Sequence, residues 1–587
     1  MKTLAEISAT NPSRIEVGVD YRLKDLVKAV PGARWNAAER TWTVPLSWPA
    51  CLALRAEFGA DLQIGPDLKD WATNTARSKK ALLALRGTAL TEEATLDELP
   101  GCAGLYRYQV NGAKAIFHGH SYLVMDETGT GKSRTALAGV SLLGCEYDVF
   151  PLLIVAPKSM LVTWSRETER FFPGKDIRVV AGTPKTKEKL LAPGGDVYIM
   201  TYDGLRKYSR ISPFGSVVLK EDERVDKELQ AIAPATIIAD EVHRAKSPKA
   251  AQTRALWSVG RKATFRIGLT GTPMQDTPVD LWSILHFIAP TEYPSKSAYV
   301  DRYVEHGFNP WGGMEVKGLL PTTRDEFFAN FDARSRRITK DMALPFLPPK
   351  VFEIRWVELP PKLRKAYQSM ADTLMAELDG GTVAAQSVLE RAGRLCQLAS
   401  ASGEMVTQPD GSTTYRMAAP SPKIDAFMED VKAGDFDGQS VVVFSDSRQL
   451  IDLLGEALDK AKLQYVRVTG AETGEERQAA MDAFQDGAVQ FILLTRAGGE
   501  GITLTKASVM VRLVRSWSLT VHRQVEDRVH RIGSEQHDSI LIVDYISENT
   551  VEEGQLVRLN AKEARAQDVL RDKELLALMR GDDETGD

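Results

Sequence analysis

A lysine and a serine follow two closely spaced glycines in DETGTGKS, residues 126–133. In loops that bind nucleotide phosphates, of pattern G-x-x-x-x-G-K-[ST], backbone N–H groups surround the phosphates, the lysine reaches the outer phosphates, and the hydroxyl ligates Mg²⁺. Asp126 stands where that pattern has its first glycine. The stretch joins the apolar SYLVM to the helical SRTALAGVSLL, which is the strand–loop–helix context such a loop needs. We therefore predict that Lys132 and Ser133 bind ATP and Mg²⁺; the alternative is a glycine-rich turn between a strand and a helix.

Two adjacent acids end the apolar run TIIADE further along the chain. Paired acids after an apolar strand allow a division of labour, in which Asp240 holds Mg²⁺ and Glu241 orients and polarises the attacking water. The alternative is a surface acidic pair that begins a loop. A phosphate-binding loop upstream in the same block of sequence favours the catalytic interpretation.

Two arginines in HRQVEDRVHRIGSEQ supply a third group. Arg528 and Arg531 are three residues apart, so on a helix they share one face. Two guanidinium groups on one face can reach one polyphosphate, as arginine fingers do. The alternative is a salt-bridged surface helix, supported by Glu526 and Asp527.

Short apolar runs that alternate with helical segments must position these residues. Between 99 and about 290 the runs are YLVM, LLIVAP, VYIMTY, TIIADE and RIGLTGT. This alternation predicts a parallel sheet covered by helices on both faces. The rhythm fades between 290 and 435, where helical and irregular segments dominate, and returns with SVVVFSDS, YVRVTG, QFILLT, VMVRLV and SILIVDYI. We predict an α/β fold with two parallel-sheet lobes whose motifs lie at the carboxyl ends of the strands.

The sequence pattern of residues 13–66 predicts a small separate unit. RIEVGVDY alternates as a half-buried strand, LKDLVKAV and WPACLALRAEF form helices, and ARWNAAERTWTVP forms a strand–turn–strand. In this unit Trp35 and Trp42 can stack on bases, and the side chains that can meet phosphates are Lys24, Lys28, Arg34 and Arg40. The alternative is that both tryptophans build the core of the small domain.

Composition bounds the class of protein. A length of 587 residues predicts several domains. A composition of 43% hydrophobic and 26% charged residues is typical of a soluble globular protein. The chain has no run of 18 apolar residues, no signal-peptide core and no CxxC pair among its four cysteines, so we expect a cytoplasmic protein. The sequence shows no chromatin-reading or zinc-finger appendage, so we expect a bacterial or phage-infected cell. The net charge of −5 gives no global sign of nucleic-acid binding, but a motor can confine its basic residues to one cleft. We expect a monomer.

From about residue 104 to 550 the motifs resemble those of the Swi/Snf-type ATPases of helicase superfamily two. DETGTGKS is similar to the D-E-x-G-x-G-K-[ST] loop of the family, DEVH to its D-E-x-H box, and LTGTPMQDTPVDLWSILHFI to its coupling motif. LYRYQVNG, VAPKSMLVTW, IMTYDGL, VVFSDSR, LLTRAGGEGITLT and HRQVEDRVHRIGSEQ resemble its other motifs. The resemblance implies two RecA-like lobes with helical insertions and a DNA-dependent ATPase that uses ATP and Mg²⁺.

The resemblance also assigns roles residue by residue. It implies nucleotide binding by Gln109, which would read adenine, and by Asp126, Glu127, Thr128, Gly129, Thr130, Gly131, Lys132, Ser133 and Gly501. It implies coupling through Thr270, Gly271, Thr272, Gln275 and Gln524. It implies DNA contacts by Lys158, Thr201, Ser445, Arg448, Thr495 and Trp517. The chain departs from the family at Val514, Ser516 and Leu519, where an acidic residue and prolines are usual, and at Asp276, where Asn is common.

KAVPGARWNAAERTWTVP resembles the HARP domain of annealing helicases, which implies that Arg34, Trp35, Arg40 and Trp42 recognise branched or partly single-stranded DNA. The expected organisation is a HARP-like domain (1–66), a helical connector (67–98), lobe 1 with a helical insertion (99–345), lobe 2 with a helical insertion (346–560) and a charged tail (561–587).

The expected function is ATP-driven translocation on double-stranded DNA that is branched or forked, in replication, repair or recombination, with replication or repair proteins as partners. One alternative keeps the motor and changes its output to strand unwinding or to removal of proteins from DNA. Another is a DNA-binding scaffold with a degenerate ATPase. The presence of all five residues of the predicted ATPase site argues against the scaffold: Lys132, Asp240, Glu241, Arg528 and Arg531.

Overall fold

The computed structural model describes residues 3–30, 32–37, 39–88, 90, 95–274, 277–308, 314–378, 381–384, 388–407, 413–496 and 502–570. These residues divide into two compact units, one within Met1–Ala343 and Arg565–Asp587 and the other within Leu344–Ala564. Gln275, Asp276 and Gly501, which the sequence placed in motifs, lie outside the described residues.

A small α+β domain begins the first unit. Its sheet has the order β3-β4-β2-β1-β5, formed by β1 (Thr3–Ile7), β2 (Arg14–Gly18), β3 (Arg34–Asn36), β4 (Thr41–Pro45) and β5 (Leu62–Ile64). Helices α1 (Lys24–Ala29) and α2 (Trp48–Phe58) contribute Val27 and Leu54 to a core shared with Ile15 and Val44 of the sheet. The predicted strands and helices of this domain are present, and β1 and β5 add two strands that the sequence pattern did not indicate.

Most of the helical connector predicted over 67–98 is one helix, α3 (Pro66–Gly87), and this helix packs against both neighbouring domains. Leu68 near its start lies in the core of the small domain, and Leu82 near its end lies in a core of the following lobe. Near the end of α3, Asn111 of the lobe donates a hydrogen bond from Nδ2 to the Leu85 carbonyl at 2.8 Å. The helix therefore belongs to both apolar cores.

The first lobe is built on a seven-stranded parallel sheet of order β14-β6-β11-β10-β7-β9-β8. The strands of the lobe, with one hairpin outside the sheet (β12–β13), are β6 (Tyr122–Val124), β7 (Leu152–Val155), β8 (Ile177–Val179), β9 (Val197–Met200), β10 (Thr236–Asp240), β11 (Phe265–Leu269), β12 (Val304–Phe308), β13 (Met314–Leu319) and β14 (Ser335–Arg336). Ile237 and Ile238 of β10 lie in different apolar cores, as expected for a strand covered on both faces.

The helices of the first lobe are α4 (Arg107–Gly119), α5 (Lys132–Leu143), α6 (Leu161–Phe171), α7 (Pro184–Leu190), α8 (Tyr202–Lys207), α9 (Glu221–Arg224), α10 (Glu228–Ile232), α11 (Ala251–Gly260), α12 (Val279–Ile288), α13 (Lys296–Tyr303), α14 (Arg324–Asp332) and α15 (Lys340–Ala343). Many are short and join a strand to the next strand, so the polar residues at strand ends come together at one edge of the sheet.

The second unit repeats the design with a six-stranded parallel sheet of order β15-β24-β23-β20-β22-β21. Its strands, including the hairpins β16–β17 and β18–β19, are β15 (Lys350–Val357), β16 (Met375–Leu378), β17 (Gly381–Ala384), β18 (Ser402–Thr407), β19 (Thr413–Ala418), β20 (Val441–Ser445), β21 (Tyr465–Val468), β22 (Phe491–Leu494), β23 (Val509–Val514) and β24 (Ile540–Ser547). Its helices are α16 (Pro361–Thr373), α17 (Val388–Ser400), α18 (Pro422–Ala433), α19 (Arg448–Lys460), α20 (Gly474–Gln485), α21 (Leu519–Val529) and α22 (Val551–Leu570).

The two-lobed parallel-sheet α/β fold predicted from the sequence is confirmed, with two corrections. The segment 290–435, expected to be mostly helical or irregular, contains three hairpins and the eight-residue strand β15. Residues 561–570, expected in a charged tail, end helix α22, and Ala566 and Leu570 are buried in the core of the first unit. Among the described residues there is no helix of the length and apolar character needed to cross a membrane.

Candidate nucleotide-binding site

The predicted phosphate-binding loop lies between β6 and α5. Gly131 has a φ of 80°, and a Cβ there would lie 2.3 Å from Nε2 of Gln109, so only glycine fits. Gly131 is also the N-cap residue of α5 and has no side chain to cap it, so the first-turn N–H groups can bind an anion. Lys132 is buried, and its Nζ donates to the Glu127 carbonyl at 3.1 Å. Ser133 is half-buried in the same turn.

Gln109 of helix α4 is hydrogen-bonded to the backbone of the loop. Its Oε1 accepts a hydrogen bond from the Tyr106 N–H at 3.0 Å, and its Nε2 donates to the Thr130 carbonyl at 3.0 Å. The Tyr108 hydroxyl donates to the same carbonyl at 2.8 Å. Gln109 thus holds the backbone of the loop, and its role in adenine recognition stays a prediction.

Asp240, the last residue of β10, is buried at the carboxyl edge of the sheet. Its Oδ2 accepts a hydrogen bond from Nε1 of Trp164 on α6 at 2.9 Å, and its Oδ1 accepts one from the Glu241 N–H at 3.0 Å. Burial and the neighbouring carboxylate of Glu241 raise the pKa of Asp240 to about 6. Lys132 acts in the opposite direction, so the loop lysine and Asp240 share one electrostatic environment.

Glu241 has a left-handed backbone, with φ 49° and ψ 50°. This conformation costs free energy for a residue other than glycine, and such strain concentrates at functional sites. Its Oε2 lies 3.1 Å from Nδ1 of His243, which also lies 3.0 Å from Oγ1 of Thr270. Burial opposes ionisation of Glu241, but the hydrogen bond and charge of His243, followed by Lys132, lower its pKa overall. The two adjacent acids are therefore driven apart in pKa.

Two arginines that the sequence analysis did not single out hold the acids of the loop. Arg336 pairs with Asp126 through Nη2 and Oδ2 at 3.1 Å and donates from Nη1 to the Tyr108 carbonyl at 2.8 Å. Arg337 pairs with Glu127 through Nη2 and Oε1 at 3.3 Å and donates from Nη1 to the Met125 carbonyl at 2.9 Å. Two acidic residues in a loop beside a buried sheet edge need counter-ions. That requirement is the signal in the sequence from which two nearby arginines could have been expected.

The predicted coupling segment contacts the loop directly. A Cβ at Gly271 would lie 2.7 Å from Oγ1 of Thr128, so the two backbones approach closely. Thr270 accepts a hydrogen bond at Oγ1 from the Thr272 N–H at 3.1 Å. Arg337 also reaches this segment, with Nη1 3.4 Å from the Gly271 carbonyl. A change at the coupling segment can therefore reach the loop through these contacts.

The structure corrects the helical interpretation of the two arginines in the second unit. Helix α21 ends at Val529, so Arg531 lies beyond it. The helix stops at His530, which leaves the helical conformation and donates a hydrogen bond from Nε2 to the Pro348 carbonyl at 2.9 Å. Both guanidinium groups still reach one segment: Nη1 of Arg528 lies 3.5 Å from the Ile502 carbonyl, and Nη1 of Arg531 donates to Oγ1 of Thr503 at 2.9 Å.

A buried ionic cluster anchors α21. Arg512 of β23 pairs with Asp544 of β24 at 2.5 Å and with Glu526 of α21 at 2.8 Å, and Lys350 contacts Glu526 at 2.9 Å. His522 packs against Arg512, and burial together with that guanidinium charge lowers its pKa to about 4. The cluster fixes the helix that carries Arg528 and the half-buried Gln524.

The predicted DNA contacts of the first unit lie at the beginnings of two helices. Lys158 is exposed one turn before α6, the helix that carries Trp164. Thr201 caps α8, accepting a hydrogen bond at Oγ1 from the Gly204 N–H at 3.1 Å. The side chain of Lys158 can therefore reach a ligand, whereas the Thr201 hydroxyl already has a structural role.

The predicted DNA contacts of the second unit differ in accessibility. Ser445 and Thr495 are buried, and their hydroxyls donate to the carbonyls of Ser447 at 3.1 Å and Thr469 at 2.8 Å. Trp517 is 39% exposed, and the Arg448 side chain is also exposed. The exposed pair can contact a ligand, and the two hydroxyls hold the loops that follow β20 and β22.

The two tryptophans of the small domain face each other across β3 and β4. Their ring centroids are 5.5 Å apart. Trp42 packs against the domain core, but Trp35 is 52% exposed, so the alternative that both build the core is wrong for Trp35. Nζ of Lys28 lies 5.9 Å from the Trp42 ring, and Arg34 and Arg40 flank the hairpin at exposed positions.

Two parallel α/β units, one carrying a phosphate-binding loop and paired acids, define a helicase-like architecture. Residues 34–402 match the SNF2-related domain, and residues 423–533 match the helicase conserved C-terminal domain. The first match covers more than half of the chain, which therefore belongs to the SNF2-related family. The match begins inside the small N-terminal domain.

Curated relatives share this region at modest identity. Protein CHROMATIN REMODELING 5 of Arabidopsis thaliana is 27% identical over 88% of this chain and 30% of its own length. The ISWI chromatin-remodeling complex ATPase ISW1 of Saccharomyces cerevisiae is 26% identical over 78% of this chain and 39% of its own length. The chain thus spans 30–39% of the length of these relatives. The solved SWI2/SNF2 ATPase core of Sulfolobus solfataricus in complex with dsDNA is 21% identical, with a TM-score of 0.35, and covers 84% of this chain and 98% of its own.

Proposed function

We propose that this protein is a DNA-dependent ATPase that translocates on double-stranded DNA. The observation that carries the proposal is the joint placement of Lys132, Asp240 and Glu241 at one edge of the first sheet. The positive charge of the loop lysine favours the ionised form of both carboxyl groups, although the pKa of Asp240 is raised overall, so the three side chains lie within electrostatic reach of one another. Membership of the SNF2-related family and the ATPase named among the relatives support the same reaction.

The donor set of this site fits a magnesium nucleotide. The uncapped start of α5 offers backbone N–H groups to phosphates, and Lys132 adds a positive charge beside them. Ser133 and Asp240 offer the hydroxyl and carboxylate oxygens that Mg²⁺ prefers. When bound, ATP supplies the phosphoanhydride to be hydrolysed and Mg²⁺ offsets its charge.

Each protein group has one task in this proposal. Glu241 positions and polarises the water that attacks, and its lowered pKa keeps it ionised for that task. Arg528 and Arg531, whose guanidinium groups reach one segment of the second unit, are the candidates for arginine fingers. Gly271 and its neighbours transmit changes in the loop to the rest of the first unit through Thr128 and Arg337.

ATP hydrolysis measured without DNA and with single-stranded, duplex and forked DNA tests the reaction. We expect duplex DNA to stimulate hydrolysis and Lys132→Ala to abolish it. Lys185→Ala, an exposed lysine on α7, is the matched control and should keep full activity. Equal hydrolysis in Lys132→Ala and the wild type would support the DNA-binding scaffold with a degenerate ATPase instead.

We further propose that the N-terminal domain directs the motor to branched or forked DNA, as in a HARP-like module. The exposed Trp35, backed by Trp42 and flanked by Arg34 and Arg40, supports this, because aromatic faces stack on unpaired bases and cations meet phosphates. We expect tighter binding to forked than to blunt duplex DNA. Loss of that preference in Trp35→Ala supports the assignment, and an unchanged preference contradicts it.

The role at branched or forked DNA belongs to replication, repair or recombination in this proposal. The alternative output of the same motor is the removal of proteins from DNA. The names of the relatives, which describe chromatin remodelling, support this candidate. Assays on a forked substrate, with and without a tightly bound roadblock protein, distinguish fork remodelling from protein displacement. Fork remodelling predicts annealed product without the roadblock, and protein displacement predicts ATP-dependent release of the roadblock from a linear duplex.

A further inference from the structure

A cavity of about 420 Å³ lies between helix α3 and one edge of the sheet of the first lobe. Its floor comes from the beginnings of three neighbouring strands: Ser121 precedes β6, Arg266 is the second residue of β11, and Arg334 precedes β14. The opposite end of β6 leads into the phosphate-binding loop. Because the strands are parallel, the cavity and the loop lie at opposite edges of the sheet. The cavity is therefore separate from the candidate nucleotide-binding site.

One face of α3 forms the opposite wall of the cavity. The side chains on this face have the three- or four-residue spacing of a single helix face: Trp71, Thr75, Ser78, Lys79 and Leu82. Leu82 lies in a core of the lobe, and Trp71 packs against the core of the small domain. Within the described part of the chain, the hydroxyl groups of Thr75 and Ser78 have no hydrogen-bond partner. The wall therefore presents two available hydroxyl groups between two apolar anchors.

The cavity is positively charged. Lys79 lines it from α3, and Arg266 and Arg334 line it from the sheet edge. Arg334 is paired with the buried carboxylate of Glu292, with Nη2 2.6 Å from Oε1. Neither Lys79 nor Arg266 forms an ion pair with any residue that the structure describes. Two of the three cations that line the cavity therefore have no counter-ion among the described side chains.

The guanidinium group of Arg266 has only long hydrogen bonds to the protein. Its Nε lies 3.4 Å from Oγ of Ser121, and its Nη1 lies 3.4 Å from the Gly260 carbonyl. Burial, followed by the charge of Arg334, lowers the pKa of Arg266 to about 10. Burial is also the largest cause that lowers the pKa of Lys79. Burying a cation without a counter-ion costs free energy, so an anion in the cavity would stabilise the charged forms of both side chains.

We infer that this cavity binds a small phosphorylated molecule. Lys79 and Arg266 supply the charge and the N–H donors that phosphate oxygens accept. Thr75 and Ser78 add hydroxyl donors from the facing wall. A volume of about 420 Å³ is that of a small-molecule site. Two sources of the phosphate suit this size: a free nucleotide and the phosphorylated end of a DNA strand.

Isothermal titration calorimetry with inorganic pyrophosphate tests the site. The full chain carries Lys132→Ala, which removes the lysine of the phosphate-binding loop and so weakens binding at the other edge of the sheet. Lys79→Met, added to this background, should weaken pyrophosphate binding at least about tenfold, because it removes a charge-assisted hydrogen bond. Lys80→Met is the matched control: it removes the same charge from the exposed neighbouring position of α3 and should leave binding unchanged. Arg266→Met should weaken binding to a similar degree, and Lys79→Met decides the result if that buried substitution prevents folding.

Two further probes identify the source of the phosphate. ADP and a pair of oligonucleotides that differ only in carrying a 5′-phosphate or a 5′-hydroxyl are titrated in the same background. A loss of ADP affinity in Lys79→Met assigns a free nucleotide, and a loss of the preference for the 5′-phosphate assigns a strand end. Absence of pyrophosphate binding up to about 5 mM, or equal binding by Lys79→Met and Lys80→Met, overturns the proposal.

Discussion

Replacing Trp164 by phenylalanine tests how the carboxylate of Asp240, the proposed Mg²⁺ ligand, is held. The indole N–H is the donor to Oδ2 of Asp240 at 2.9 Å, and phenylalanine keeps a buried ring while removing that donor. A hydrogen bond to a charged group contributes about 1.5–3 kcal/mol. At about 1.4 kcal/mol per pKa unit, its loss raises the pKa of Asp240 from about 6 to about 7–8.

This shift has a defined sign and size in the pH profile. Asp240 must be ionised to hold Mg²⁺, so activity falls as the pH drops through its pKa. At pH 7 the ionised fraction should fall from about nine-tenths to between about a half and a tenth. DNA-stimulated ATP hydrolysis of Trp164→Phe should therefore drop about two- to tenfold at pH 7 and recover near pH 9.

The matched control is Trp257→Phe, which removes another buried indole N–H in the same unit, the donor to the Ser283 carbonyl at 3.1 Å. Both variants should lower the melting temperature, but only Trp164→Phe should move the acidic limb of the pH profile. Hydrolysis is measured from about pH 5.5 to about pH 9 as kcat/KM, with the Mg²⁺ nucleotide well below saturation, because this ratio reports the pKa values of the free enzyme. An unshifted limb in Trp164→Phe, or an equal shift in both variants, would refute the reasoning.

Three further predictions concern stability and DNA binding. Arg336→Met leaves the carboxylate of Asp126 buried without its counter-ion and should cost about 3–5 kcal/mol, seen as a lower melting temperature that the added Asp126→Asn substitution partly restores. His522 is buried with a pKa lowered to about 4, so on acidification the unfolded state takes up a proton at this histidine before the folded state does. The neutral, buried histidine therefore contributes about 3 kcal/mol to the free energy of unfolding above pH 6.5, and this contribution is lost as the pH falls to about 4. His522→Gln should flatten the fall in melting temperature over that interval. Trp35→Ala should weaken binding to single-stranded and forked DNA about 5- to 150-fold in a fluorescence anisotropy titration, because one stacked base contributes about 1–3 kcal/mol, and a change below twofold would contradict the stacking role.

The parallel sheets could be predicted because their strands are apolar on both faces. Ile237 and Ile238 in TIIADE enter opposite cores, and such runs stand out from the helical segments beside them. The strand ends carry the motif residues, so the positions of Lys132, Asp240 and Glu241 followed from the same pattern. Strand β15 was missed because its exposed apolar residues and charges do not resemble a buried strand.

The remaining features depend on contacts between distant residues. Arg336 meets Asp126 across 210 positions of the chain, a pairing that no local pattern reveals. The end of α21 is set by the hydrogen bond of His530 to the Pro348 carbonyl, 182 positions away. Three-residue spacing alone therefore placed Arg531 on a helix that stops before it. Local spacing predicts elements, whereas long-range partners decide where they end and how their charges are balanced.

Displacement of a third strand from a DNA triplex tests the central claim most directly, because only movement along the duplex ejects that strand. The account predicts that the wild-type protein releases it in the presence of ATP and Mg²⁺, and that Lys132→Ala binds the same DNA without releasing it. Strong DNA-stimulated hydrolysis by the wild type with no release of the third strand would contradict translocation.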